Sequence, residues 1–373
     1  MKHAFLTVAI AAVLASCGQA PKTEDGMRLL VGTYTDGNTS NGVYLYSFDQ
    51  NTGACELLDT AKAGNPSFII ASEDLKHAYS VSEYDDGRQG VISYDLTGSS
   101  IDVLNSRSAD IDASGAAPCN IIVAGGCVIT SNYTGGTLTA FPILEDGSLG
   151  EGIQQFVPAV EDGLVHHMHC CVKSPEGKYL FVCDLGADRI YRFTIGTGAN
   201  PLLDMTVAYQ FDSEVHPGPR HMVFSQDGRF AYLIHELGDF LTVFAYNDGT
   251  LEHMSTELAY DGEGHGSADI HLTPDGGYLY ASHRLKKDGI SIFKVSGDGS
   301  VQNAGYCETG IHPRNFAISP DGRYLLCACR DSDRIEFYAI DPATGALTDT
   351  GARIEIPAPV CVQFLKYSPA VRR

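Results

Sequence analysis

The apolar residues of this chain fall in short runs rich in Val, Ile, Tyr, Thr and Phe, separated by clusters of Gly, Asp, Pro and Ser. Such runs predict β-strands joined by tight turns. One unit recurs four times with little change: an apolar strand, a Pro-Asp-Gly turn, a second strand carrying aromatics, a polar turn, and a third strand ending in an aromatic. Ser174-Pro-Glu-Gly-Lys-Tyr-Leu-Phe-Val runs on to Ile190-Tyr-Arg-Phe193, and Ser225-Gln-Asp-Gly-Arg-Phe-Ala-Tyr-Leu to Leu241-Thr-Val-Phe244. Thr273-Pro-Asp-Gly-Gly-Tyr-Leu-Tyr leads to Ile290-Ser-Ile-Phe293, and Ser319-Pro-Asp-Gly-Arg-Tyr-Leu-Leu to Ile335-Glu-Phe-Tyr338. The turn residues at 175, 226, 274 and 320 follow the roughly 40 to 50 residue period of four-stranded propeller blades.

Two weaker copies precede these, from Pro66-Ser-Phe-Ile-Ile through Val91-Ile-Ser-Tyr94 and from Pro118-Cys-Asn-Ile-Ile through Leu138-Thr-Ala-Phe141. A seventh is split between the ends. Arg28-Leu-Leu-Val-Gly-Thr-Tyr34 and Val43-Tyr-Leu-Tyr-Ser-Phe48 supply later strands without a first, and Pro359-Val-Cys-Val-Gln-Phe-Leu365 supplies a first strand with nothing after it. The expected fold is therefore an all-β, seven-bladed β-propeller over residues 27–367. Its blades are four-stranded and antiparallel, its ring is closed by pairing the N- and C-terminal strands, and residues 368–373 form a tail. Closure removes the exposed sheet edges of an open array. Six blades with two stray terminal strands is the alternative; two separate domains would leave the period unexplained.

Composition narrows the partners. A formal charge of -21 argues against nucleic acid or an anionic membrane surface, and an anionic substrate would need a local cluster of Arg or Lys. At the N-terminus, Lys2 precedes an apolar run from Ala4 to Ala15, too short to span a bilayer, which ends in Leu14-Ala15-Ser16-Cys17. That ending is similar to a bacterial lipobox. It predicts a signal peptide over 1–16, a lipidated Cys17, a tether over 17–26, and an exported protein facing the periplasm or on the cell surface, held to membrane only by its lipid. The ten other cysteines lie mostly in predicted strands beside apolar neighbours, so few or no disulfides are expected and no CxxC spacing suggests zinc.

Equivalent positions in the repeat should converge on the channel. Six residues before the turn position stand His169, Arg220, Ala268 and Arg314, with Ser67, Cys119 and Val360 in the weaker copies. Eight residues past each turn glycine stand Leu185, Glu236, Arg284 and Arg330, with Glu83 in the first weak copy. Two rings of strand ends near one opening would gather His169, Arg220, Glu236 and Arg284, with Arg314 and Arg330 close by. This set offers general acid or base chemistry from His169 and Glu236 and anion binding by guanidinium groups. Asp269 and His271 are either structural or orient the arginines. His167 shares a face with His169 by alternation, but no third ligand has a fixed spacing, and no metal or cofactor is expected.

The segments that carry these residues resemble a known family across nearly the whole mature chain: Leu30-Val-Gly-Thr-Tyr34, His167-Met-His169, Gly218-Pro-Arg-His221, His235-Glu-Leu237, Ser267-Ala-Asp-Ile-His271, Ser282-His-Arg284 and Pro313-Arg314. The chain resembles the seven-bladed propeller lactonases typified by bacterial 6-phosphogluconolactonase, whose relatives include the fungal 3-carboxy-cis,cis-muconate lactonizing enzyme. His235 and His283 stand where the family usually has Asn, and His166 where it usually has Pro. The resemblance implies opening of a sugar-derived, anionic lactone by water, or lactone closure as in the muconate branch, where the positions matching His169, Arg220, Glu236 and Arg284 are implicated in catalysis. His167, Asp269, Arg314 and Arg330 would bind substrate. A lipid-anchored binding module without enzymatic activity remains a further reading, and oligomeric state stays open.

Overall fold

A computed structural model describes residues 27–161, 163–212, 214–260 and 266–365. The expected signal peptide, the expected lipidated Cys17 with its tether, and the expected tail lie outside the described residues. Seven four-stranded antiparallel sheets stand around one axis. In chain order, blades 1 to 6 begin with the inner strands Ile69–Ala71, Pro118–Ala124, Met168–Lys173, Pro219–Phe224, Ser267–Leu272 and Pro313–Ile318, and each proceeds outward. Blade 7 takes its inner strand, Pro359–Leu365, from the C-terminal end and its other three, Met27–Thr33, Gly42–Phe48 and Cys55–Lys62, from the N-terminal end. Val31 pairs with Val362 and Leu29 with Phe364 across that seam. The inner strands of blades 6 and 1 both pack against Pro359–Leu365, so the ring closes at seven as the repeat predicts.

The local cause of the repeat is visible in its turns. In the Ser/Thr-x-x-Gly turns the glycines 177, 228, 276 and 322 hold φ of +73, +72, +73 and +74°, a region that side chains other than glycine rarely enter. The Ser or Thr hydroxyl accepts the amide five residues on, at 3.0 Å from Tyr179, Phe230 and Tyr278 and 2.9 Å from Tyr324. Each turn thus starts its second strand in a fixed register.

Alternation along the strands then sends side chains into the gaps between blades, where seven apolar clusters form, one for each pair of neighbours. The cluster at the seam joins Leu29, Val31 and Phe48 of blade 7 to Leu326, Ile335 and Phe337 of blade 6. Six of the seven innermost strand pairs also carry one extra residue just after the inner strand begins. The unpaired residue there is Cys119, His169, Arg220, Arg314 or Val360, and in blade 5 the slip covers Ala268 and Asp269. A bulge turns a side chain out of the sheet's alternation, here toward the channel mouth.

All ten cysteines among the described residues are free thiols. Cys119 and Cys183 are buried and held well above the usual thiol range, Cys119 by desolvation and Cys183 by its neighbour Cys170 and desolvation. No helix among the described residues is long and apolar enough to cross a membrane.

The closing seam is testable through Phe364, which packs edge-on against Phe48 with ring centroids 4.9 Å apart. Phe364→Ala should lower unfolding free energy by about 3 to 5 kcal/mol, read from urea denaturation; a loss below about 1 kcal/mol would mean the seam contributes little.

Candidate active site

Two backbone stations build the mouth. The first is the bulge just described. The second is the residue that follows the second strand of each blade: Tyr34, Glu83, Tyr133, Leu185, Glu236, Arg284 and Arg330. In every blade the amide of this residue donates to a carbonyl two residues before the bulge station. The acceptors are those of Ala358, Asn65, Ala117, His167, Gly218, Gly266 and His312, at 2.8 to 3.2 Å, with Glu236 to Gly218 at 2.8 Å and Arg284 to Gly266 at 3.2 Å. The bond fixes the two stations against each other, so side chains placed on them meet.

What meets is a paired charge cluster. Arg220, the bulkiest fully buried side chain, donates from Nε to Glu236 Oε2 at 2.7 Å and from Nη1 to the Ala268 carbonyl. Arg284 Nη2 lies 2.9 Å from Glu236 Oε1, and its Nε donates to the Gly266 carbonyl at 3.2 Å. Both carboxylate oxygens of Glu236 are therefore engaged. Burial opposes ionisation of Glu236, but Arg220, Arg284 and Arg314 outweigh it and hold the carboxyl below its ordinary value. Burial, reinforced by Arg220 and opposed by Glu236, pulls Arg284 down to about 9, still charged at neutral pH.

Arg314 faces the same opening from blade 6. Its Nη2 lies 3.8 Å from Glu83 Oε2, and its guanidinium sits 5.5 Å from the centre of the Tyr34 ring. Tyr34 donates its hydroxyl to both Glu83 oxygens, at 3.1 and 3.0 Å. Three arginines and two glutamates leave one positive charge unbalanced in a protein whose formal charge is -21. The mouth thus carries local positive charge, the sign that attracts an anion.

His169 sits beside this cluster with 4% of its surface exposed. Tyr133 meets its ring edge-on at 5.7 Å and stacks on His167 at 4.4 Å. Burial, then Arg220, His221, Arg314 and Arg284, hold His169 well below the ordinary histidine value, so it is neutral. Its Nδ1 is buried without a hydrogen-bond partner.

The structure thus brings His169, Arg220, Glu236, Arg284 and Arg314 to one opening. Arg330 stands at the rim, paired with Asp331 at 2.6 and 3.0 Å, and joins the cluster through Asp331, His312 and Arg284, with contacts of 3.2 Å on either side of the His312 ring. His167 is turned aside, its Nδ1 2.9 Å from the Tyr133 carbonyl. Asp269 lies one residue below the bulge station and pairs with His221, His271 and Asn315, none of them an arginine. Among the described residues, no three His, Cys, Asp or Glu side chains form a metal-holding group.

Tyr34, Tyr133 and His312 were not singled out from sequence. The first two occupy the second station in blades 7 and 2, which lack the Pro-Asp-Gly turn from which that station was counted. His312 stands two residues before its bulge station and adopts φ of +62°, at a position whose residue type changes from blade to blade.

With this geometry in place, comparison with known proteins is decisive about kinship. The sequence model of the family described as "Lactonase, 7-bladed beta-propeller" matches residues 28–364. The chain belongs to the seven-bladed β-propeller lactonase family. It is 32% identical over 357 residues to a 6-phosphogluconolactonase of Formosa agariphila, covering 91% of this chain and 100% of that one, and 30% identical to the 6-phosphogluconolactonase of Bacillus subtilis, covering 90% and 97%. Among solved structures, a candidate 6-phosphogluconolactonase of Bacteroides fragilis superposes with a TM-score of 0.86 at 40% identity, covering 93% and 100%. A periplasmic gluconolactonase of Pseudomonas aeruginosa gives 0.81 at 28% identity, covering 92% and 100%.

This lactonase-family propeller also carries an acid-sensitive feature. His235 and His283 end the second strands of blades 4 and 5, and burial lowers both from 6.5 to about 3. His235 contacts Thr242 Oγ1 at 2.9 Å and His283 contacts Ser267 Oγ at 2.8 Å, leaving one buried ring nitrogen unpartnered in each. Between pH 6.5 and 3 the unfolded chain binds protons at these sites that the folded chain refuses, so stability falls as pH falls through that window. His235→Asn with His283→Asn should flatten the decline in urea midpoint between pH 6.5 and 4; an unchanged slope would place the acid sensitivity elsewhere.

Proposed function

We propose that the protein hydrolyses a sugar-derived, anionic lactone at the channel mouth. The observation that carries this reading is the buried Arg220–Glu236–Arg284 arrangement beside a neutral His169, on a chain of the lactonase family. Glu236 is ionised with both oxygens held by arginines, and this leaves it a poor base. His169 has no competing partner and is neutral, the state a base requires.

In the proposed cycle, the arginines hold the substrate's carboxylate or phosphate through charge-assisted hydrogen bonds. His169 takes a proton from water as the water oxygen bonds to the lactone carbonyl carbon, and a guanidinium stabilises the oxyanion that forms. Collapse of that intermediate breaks the bond to the ring oxygen, which takes the proton back from His169. The product is the open hydroxy acid. Glu236 acts by keeping Arg220 and Arg284 apart and aimed. The 6-phosphogluconolactonase names of two relatives support a phosphorylated aldonolactone. The periplasmic gluconolactonase relative, with the lipobox at Leu14 to Cys17, supports a lactone met outside the cytoplasm by a lipid-anchored enzyme.

Mature protein tested by pH-stat against phosphorylated and unphosphorylated aldonolactones should accelerate acid release above buffer. His169→Asn should lower kcat by about 10² to 10⁴-fold, the usual range for loss of an acid–base group, and Arg284→Ala should act mainly by raising KM. Rates equal to buffer with every lactone would overturn the proposal, as would full activity in His169→Asn.

A further inference from the structure

Beneath the mouth, the residue after the bulge in blade 4 is His221. It is buried, and its Nδ1 lies 2.8 Å from Asp269 Oδ1 on blade 5. Asp269 is buried too, and its two oxygens are met by several hydrogen-bond partners. The Ile270 amide donates to Oδ1 at 2.9 Å, His271 Nε2 lies 2.9 Å from Oδ2, and the Phe316 amide and the Asn315 side chain donate to Oδ2 as well. Despite burial, His271 and His221 keep Asp269 well below the ordinary carboxyl value. An ionised carboxylate only accepts hydrogen bonds. Burial and Arg220 lower His221 to about 4, so the ring is neutral; facing an acceptor, it carries its one proton on Nδ1 and presents Nε2 as an acceptor.

That Nε2 is buried and has no partner, and so is Nδ1 of His169. The two rings are neighbours, with centroids 5.1 Å apart at 62°. Two unsatisfied buried nitrogens on adjacent rings are each costly alone. The rings are close enough for a direct hydrogen bond after a small rotation, and one donor shared between the two nitrogens satisfies both. Because His221 Nε2 can only accept, the proton belongs to His169 Nδ1, which leaves the lone pair of His169 on Nε2.

We propose that Asp269 and His221 are positioning residues that fix the tautomer of His169, so that its basic nitrogen is Nε2. The inference rests on His169 as the base of the proposed hydrolysis, yet it concerns a proton position that exists without substrate. Asp269 and His221 touch no reacting atom in this scheme. They act as the buried acid of a hydrolase triad acts, by holding an imidazole in its working tautomer.

Nitrogen-15 histidine NMR on the full mature protein reads the tautomer directly. His169 is assigned by the resonances missing from His169→Asn. The expected wild-type spectrum shows His169 protonated at Nδ1 and pyridine-like at Nε2. His221→Phe removes the acceptor and should move His169 toward the Nε2–H tautomer, lowering kcat by up to about 100-fold, the scale of a misplaced catalytic group, with KM nearly unchanged. His221→Gln, which restores an acceptor near the same place, should recover the Nδ1–H form and part of the rate. A wild-type His169 protonated at Nε2 would overturn the inference, as would an unchanged tautomer in His221→Phe. Should His221→Phe fail to fold, the wild-type and His221→Gln spectra still decide. Absence of lactone turnover with the expected tautomer would instead count against the proposed reaction alone.

Discussion

Everything at the mouth depends on closing the ring. The pairing of Met27–Thr33 with Pro359–Leu365 joins strands from opposite ends of the chain, and long-range pairing of this kind carries the largest entropic cost in the fold. Once made, it sets the number of blades, and the number of blades sets the channel width. Tyr34 then follows the seam strand, Glu83 follows a strand of blade 1, and Arg314 reaches in from blade 6. Their contacts exist only because the last blade meets the first.

Around that closed ring, the fold treats all blades alike in backbone and unlike in side chain. The same amide-to-carbonyl bond recurs at each strand end, and nearly every inner strand pair has the same bulge. Symmetric backbone explains why the position is available. A buried charge cluster arises where Arg220, Glu236 and Arg284 fill it, because buried guanidinium groups are tolerated only when a carboxylate and carbonyl oxygens accept their hydrogen bonds. Ala268 and Val360 occupy equivalent places without needing any such partner.

Most of the architecture was legible in the sequence because turn chemistry is local. A Ser or Thr, a glycine with positive φ and an aromatic at fixed offsets need nothing distant to be recognised, and they marked four blades and, through them, both rings. Arg220, Glu236, Arg284 and His169 followed by counting. Tyr34 and Tyr133 escaped because their blades lack that turn, so the count had no origin. His312 escaped for a different reason: its ring bridges Arg284 and Asp331, and a contact between loop residues of neighbouring blades leaves no period. The direction of Asp269 was equally hidden, since one residue along an inner strand separates the mouth from the layer beneath, and only the register of the bulge says which is which.

The strand-end station has a consequence for how such a protein diversifies. Each of its seven places is anchored by main-chain atoms, while the apolar clusters that hold the blades together lie elsewhere, between the sheets. Changing a residue at the station alters the charge and shape of the opening and leaves the wedges that bind the ring intact. The mouth is a seven-socket panel whose fittings can be exchanged one at a time, and descendants of one ancestral ring can part company in substrate long before they part company in shape.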